Sequence, residues 1–232
     1  LEDNVISNVK TVGRVASLEA LPEIHSLKGA IGIAHTRWAT HGKPSTVNSH
    51  PHLDNSKTFA VVHNGIIENY HELRDFLTSH GYSFLSETDT EVIPNLIHYY
   101  YNKDKKNVLE AVQKACLNLK GSFAIEVISP LLKDAMIVVR KDSPLVIGKG
   151  EDENYISSDI PAILSFTKDF YFLNDREFAV LSRDNIDFYD NNLNRIDKPI
   201  KSIEWNTASA EKDGYDDFML KEIYEQPNAI RE

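Results

Sequence analysis

The sequence predicts an α+β fold, with antiparallel sheets and helices segregated around them. Two patterns predict it. Apolar residues follow helical spacing between Asn69 and Gly121, then switch from Ser122 onward to a succession of short strand-like runs. Those runs are joined by connections as tight as Asn191-Asn192, too short for the crossovers a parallel sheet needs.

Taken in order, Val9 to Val15 is a mixed segment, followed by a short helical candidate around Leu18 to Ile24. Leu1 enters without a cap, so the expectation is a piece of a longer protein whose first elements lie upstream. Ala30, Ile31, Ile33 and Ala34 suit a buried strand, which gives way to the polar run Thr36 to Gly42. A loop holding Pro44 and Pro51 leads to a second buried strand, Thr58 to Val62, and then to His63-Asn64-Gly65. Asn-Gly is a turn signal, because both residues tolerate positive φ. Asn69 is placed to cap a helix carrying Leu73, Phe76 and Leu77, with Gly81 as its left-handed stop. Tyr82 to Ser86 reads as a short strand. Thr88-Asp89-Thr90-Glu91 has the form of a capping box opening a helix through Tyr101, confined or kinked by Pro94. Asn107 with Glu110 repeats the box before the stripe Val108, Ala111, Val112, Ala115, Cys116 and Leu119, closed by Gly121.

Strands then follow at Phe123 to Ile128, Ala135 to Val139, Leu145 to Gly148, Tyr155 to Ser157, Phe170 to Leu173, Phe178 to Leu181 and Ile186 to Tyr189. One short helix is expected among them, around Ile160 to Phe166. Glu204 to Tyr215 is irregular and polar, and Asp216 or Asp217 is placed to cap a closing helix, Phe218 to Glu225, before Pro227. Residues 1–215 therefore read as one domain, and 216–232 as a closing helix and a linker leading elsewhere.

Composition narrows the function. At 232 residues the chain can bury a full core, and its net charge of −10 repels a phosphate backbone, which disfavours nucleic acid. No apolar run approaches the length of a membrane span, and the first residues do not resemble a signal peptide, so no membrane association is expected. The single cysteine, Cys116, cannot form an intramolecular disulfide, which agrees with a cytoplasmic setting. Within an apolar helical stripe it reads as a core residue, not a reactive thiol.

Chemistry concentrates in Ala30 to Gly42. Arg37 offers the planar fork that grips a carboxylate with two hydrogen bonds, and Thr40 and His41 stand close enough in sequence to serve the same ligand. The alternative is an ordinary strand and a solvated turn. Asn64 and Gly65 offer a side-chain amide beside a backbone N–H, two donors suited to a developing oxyanion, although a plain turn would use the same pair. Helix capping explains Asp89, yet with Arg37 it would complete the two-ended grip that a free amino acid requires. His35, His41, His50, His52 and His63 lie within one short region, and His-x-His suits a metal. No histidine follows His98, so the distant ligands of a metal hydrolase are missing, and loop-bracing histidines with no metal are expected. A glutamine-binding module without catalysis is the other alternative, since it needs Arg37 and Asp89 but no nucleophile.

The runs Ile33-Ala34-His35-Thr36-Arg37-Trp38-Ala39-Thr40-His41-Gly42, His63 to Asn69, Ser86 to Val92, Ser143 to Gly148 and Lys221 to Pro227 resemble the glutaminase domain of the glutamine–fructose-6-phosphate aminotransferase family. Short pieces such as His-Asn-Gly are shared by class II glutamine amidotransferases at large. The first and last runs are more specific. The resemblance implies an N-terminal-nucleophile hydrolase fold, a four-layer αββα sandwich, and hydrolysis of L-glutamine to supply ammonia for glucosamine 6-phosphate, with no cofactor. By the same resemblance Arg37 would bind the α-carboxylate with Thr40 and His41 beside it, Asp89 the α-ammonium, and Asn64 and Gly65 would form the oxyanion hole. Trp38 would gate an ammonia passage toward a C-terminal sugar isomerase domain, through which the family forms a homodimer. His50 would serve mainly loop structure. The family's nucleophile is an N-terminal cysteine whose α-amine acts as base. This chain begins with Leu1 and Cys116 cannot substitute, so residues 1–232 alone are expected to be inactive.

Overall fold

The computed structural model describes residue 1 and residues 4–39, 41–104, 107–204, 215 and 217–231. Among them, β1 (His52–Leu53) and β2 (Ala60–Ile67) precede three helices, α2 (Tyr70–Ser79), α3 (Val92–Asp104) and α4 (Val108–Asn118). The strands that follow are β3 (Gly121–Ile128), β4 (Ala135–Lys141), β5 (Val146–Lys149), β6 (Asn154–Ser157), β7 (Asp169–Phe172), β8 (Phe178–Ser182), β9 (Ile186–Tyr189), β10 (Arg195–Ile196) and β11 (Lys201–Ser202). A short α1 (Val15–Glu19) lies ahead of them all, and α5 (Phe218–Ala229) behind. Every strand pair is antiparallel, in a seven-stranded sheet ordered β1-β2-β3-β4-β8-β9-β10 and a four-stranded sheet ordered β11-β7-β5-β6.

The strand period of two builds the layers. On β3, Phe123, Ile125 and Val127 face α2, α3 and α4, where they meet Leu77, Ile93, Ile97, Val112 and Cys116 in the main core. Ala124, between them, points the other way and packs with Val138, Leu145, Ile147 and Phe188 in the second core, which joins the two sheets. On the smaller sheet Val146 and Phe170 turn outward beneath Ile163 and Leu164, which close the far side. Each large side chain buried in these cores contributes about 1.5–3 kcal/mol.

The strands expected from Phe123 to Tyr189 are all present, within a residue or two at their ends. Asn107 caps α4 as expected, accepting the Glu110 N–H at 2.8 Å. Asp217 likewise accepts the Leu220 N–H at 2.7 Å at the start of α5, which runs on past Pro227. Cys116 is 2% exposed, and burial pushes its thiol up to about 12. Residues 205–214, most of the stretch expected to be irregular, lie outside the described residues, as does Asp216.

Other expectations need correction. Ala30 to Ala34 joins neither sheet: the chain bends at Ala30 and Ile31, Ala30 and Ala34 are exposed, and Ile31, Ile33, His35 and Arg37 alternate with more exposed neighbours. His63-Asn64-Gly65 is no turn. Strand β2 continues through it, and Gly65 spends its positive φ of +130° inside the ladder, where a Cβ would stand 2.1 Å from the Ser122 carbonyl oxygen. Tyr82 to Ser86 forms no strand, because side chains satisfy its backbone: Asn55 takes both polar groups of Ser83 at 2.8 Å, and Glu91 accepts the Leu85 and Ser86 N–H groups at 2.9 and 2.7 Å. Glu91 is thereby drawn away from the expected box. Pro94 falls in the first turn of α3, where a helix needs no N–H, and confines nothing. Asn69 precedes α2 without capping it; its carboxamide instead bridges the Asn118 carbonyl and the Lys120 N–H. Successive turns replace a helix at 161–166, and the expected helix at 18–24 divides into α1 and a 3₁₀ turn at Pro22–Ser26. No helix among the described residues is long and apolar enough to cross a membrane.

Candidate active site

Arg37, Trp38, Asn64, Gly65 and Asp89, dispersed over 53 positions of sequence, line one cavity of about 320 Å3 together with His35, His50, His63 and Thr90. Three segments build it: the extended run before Arg37, the second half of β2, and the approach to α3. Thr40 lies outside the described residues.

Asp89 is 4% exposed. One carboxylate oxygen accepts the Ile67 N–H of β2 at 2.8 Å, and the other lies 3.8 Å from His41 Nδ1. The carboxylate is thus aimed by backbone and keeps an oxygen available. The Arg37 guanidinium donates to the backbone carbonyls of His41, Gly42 and Lys43, the last two at 3.1 and 3.4 Å, so its fork closes the loop that follows it. Asn48 clamps that loop from the other side. Its Nδ2 donates to the Lys43 carbonyl and to Glu87 Oε2, both at 2.9 Å, and its Oδ1 accepts the Glu87 N–H at 3.0 Å. Trp38 stands at the rim, 88% exposed.

The histidines form a bracket of imidazoles. His35 stacks on His50 with centroids 4.1 Å apart, and His50 meets the edge of His52 at 5.0 Å. One nitrogen of each of these rings and of His63 is engaged by protein: His35 Nε2 with Asn64 Oδ1 at 2.8 Å, His50 Nδ1 accepting the His63 N–H at 3.3 Å, His52 Nε2 with Thr88 at 3.1 Å and His63 Nδ1 with Thr90 at 3.0 Å. Among the described residues no three side chains are grouped to hold a metal ion. Sequence reading grouped these histidines but missed the link from His35 to Asn64, and missed Asn48 and Glu87 entirely. The spacing of two between His35 and Arg37 was a usable signal, since it puts both on one side of an extended segment.

Burial holds these rings neutral. It pushes His52 down to about 3 and His63 to about 4, and lowers His50 and His35 as well, with Arg37 acting in the same direction on His35, His50 and His52. Burial also pushes the Glu126 carboxyl up to about 7, inside a second cavity of about 500 Å3 between the sheets. The unfolded chain takes up protons on the histidines below pH 6.5 while the native protein does not, so stability falls as pH drops from 6.5 toward 4. Glu126 acts oppositely, favouring the native state below about pH 4.5 and losing that contribution as pH rises to about 7. Several imidazoles outweigh one carboxyl. Each unmatched proton is worth about 1.4 kcal/mol per pH unit, so the urea midpoint is expected to be clearly lower at pH 5 than at pH 7. Equal midpoints would mean that the rings are not held neutral.

Residues 35–165, more than half of the chain, match the glutamine amidotransferase domain. The chain belongs to the glutamine amidotransferase family. This amidotransferase chain is 54% identical over its whole length to glutamine–fructose-6-phosphate aminotransferase (isomerizing) of Clostridium perfringens, and 52% identical to the enzyme of that name from Clostridium acetobutylicum. It spans 38% of the length of each. Among solved structures, glutamine phosphoribosylpyrophosphate amidotransferase from B. subtilis superposes with a TM-score of 0.57 at 23% identity, over 69% of this chain and 35% of that one. The shared fold is the sandwich of the N-terminal-nucleophile hydrolases, with α2, α3 and α4 on one face of the paired sheets. Its far layer is formed, among the described residues, by the turns at 161–166.

Proposed function

We propose that this chain is the glutamine-hydrolysing part of a glutamine–fructose-6-phosphate aminotransferase, releasing ammonia that converts fructose 6-phosphate to glucosamine 6-phosphate. The observation that carries the reading is a guanidinium, a backbone-aimed carboxylate and an Asn-Gly donor pair around one cavity. Glutamine presents an α-carboxylate, an α-ammonium and an amide to match. In this reading Arg37 exchanges loop carbonyls for the α-carboxylate, trading neutral acceptors for a charged one. Asp89 takes the ammonium, His41 and Thr40 flank the amino-acid end, and Trp38 shields the departing ammonia. Further domains of the natural protein, a sugar isomerase and a dimer formed through it, belong to the same proposal, as does a cytoplasmic location.

The chemistry requires a thiolate, which attacks the side-chain amide carbon; the oxyanion collapses, the C–N bond breaks, the nitrogen leaves as ammonia, and water then hydrolyses the thioester to glutamate. Cys116 does not supply it. It is sealed in α4 against the main core, on the side of β3 away from Glu126 and the space between the sheets. Ammonia release from glutamine by the natural polypeptide containing this chain tests the reading, and Cys116→Ser should leave the rate within about twofold, because a buried small hydrophobe tolerates that change better than a nucleophile would. Loss of turnover in a folded Cys116→Ser protein would overturn the assignment. A polypeptide limited to residues 1–232 should release no ammonia.

A further inference from the structure

We infer that His35 is the positioning residue that aims the Asn64 carboxamide at the reacting oxygen. The inference rests on the glutaminase reading given above. A carboxamide is symmetrical enough in shape to sit either way round, and only one orientation turns its N–H donors toward an oxyanion. The contact at 2.8 Å between His35 Nε2 and Asn64 Oδ1 selects that orientation in the tautomer whose Nε2 carries the hydrogen, since a carboxamide oxygen can only accept. With the oxygen bound, both hydrogens of Asn64 Nδ2 are left for a ligand; among the described residues no protein acceptor takes them.

The device is built to be rigid. Stacking on His50, with ring planes only 20° apart, fixes the plane of His35. His50 is held in turn by the N–H of His63, the residue immediately before Asn64 on β2. Strand, bracket and carboxamide therefore form a closed circuit, and Asn64 cannot turn its amide over without giving up the hydrogen bond from a ring that stacking holds in place. The other nitrogen of His35, Nδ1, is buried without a hydrogen-bond partner, a position that suits the ring nitrogen carrying no hydrogen, since a buried N–H would need an acceptor. Burial, aided by the neighbouring Arg37, lowers the pKa of the ring, although Asn64 and the His63 backbone act to raise it.

The test uses glutaminase kinetics of the natural polypeptide containing this chain, with folding checked by thermal unfolding. His35→Met and His35→Gln are similar in size, but only glutamine can donate to Asn64 Oδ1. His35→Met is expected to lower kcat on the order of 10- to 100-fold, part of the loss that follows removal of an oxyanion donor, with the glutamine KM changed less than about threefold. His35→Gln should recover a substantial part of kcat. In an Asn64→Ala background His35→Met should cost nothing further. A purely structural role would give Met and Gln the same defect, or the same defect with and without Asn64, and either result overturns the inference, as does unchanged kcat in His35→Met. If Asn64→Ala alone leaves kcat unaltered, the oxyanion reading itself fails, a result distinct from the failure of His35 alone.

Discussion

Gly65→Ala is expected to abolish measurable glutaminase activity and to destabilise the domain by more than the 1–3 kcal/mol typical of a small overpacking error. Two costs coincide at this position. Its φ of +130° is one that an L side chain rarely adopts, and the added Cβ would stand 2.1 Å from the Ser122 carbonyl oxygen and 2.7 Å from its carbon. Those obstacles are backbone of β3, which pairs with β2 across this region and cannot swing aside as a flexible side chain would. The accommodating movement must separate the strands where Asn64 and Gly65 present their donors, and removal of a single oxyanion donor already costs about 10²–10³ in rate. Ammonia release assayed well below the melting temperature separates the two costs. Wild-type turnover in a folded Gly65→Ala protein would show that this backbone is not part of the reaction.

Arg37→Lys is expected to raise the glutamine KM by about 10- to 100-fold, since an ammonium cannot reproduce two parallel, charge-assisted hydrogen bonds worth about 1.5–3 kcal/mol each. A separate loss falls on the unliganded loop. The guanidinium also spans three carbonyls of the loop at 41–43, and a lysine has no fork with which to bridge them. Asp89→Asn should raise KM comparably while leaving the fold intact, because the Asn oxygen can still accept the Ile67 N–H. If KM is unchanged in both variants, glutamine does not bind between these residues.

The residues that sequence reading identified share a property: their signal is local or follows from charge alone. The Asn107 and Glu110 box lies within four residues, and the β3 to β9 pattern needs only a period of two. Arg37 and Asp89 are legible as opposite charges that suit the two ends of an amino acid. What stayed hidden depends on partners distant in sequence. Gly65 reads as a turn until the Ser122 carbonyl is seen beside it. The Asn48 and Glu87 clamp joins positions 39 apart, and the His35 to Asn64 contact spans 29. Tyr82 to Ser86 has the apolar residues of a strand, but Arg74 lies over the Phe84 ring at 4.6 Å, and the backbone is claimed by Asn55 and Glu91. The buried strand expected at Ala30 to Ala34 fails because its apolar residues find one covering surface, which gives alternating burial, whereas a strand needs a neighbour with free hydrogen-bonding groups.

A crystal structure of the natural polypeptide containing this chain, bound to L-glutamate, tests the central claim most directly. The account predicts the α-carboxylate on the Arg37 guanidinium in place of the loop carbonyls, the α-ammonium within hydrogen-bond distance of the Asp89 oxygen that now faces His41, and the side-chain carboxyl against Asn64 and Gly65. Glutamate bound elsewhere, or lying in this cavity with its α-carboxylate away from Arg37, would contradict it.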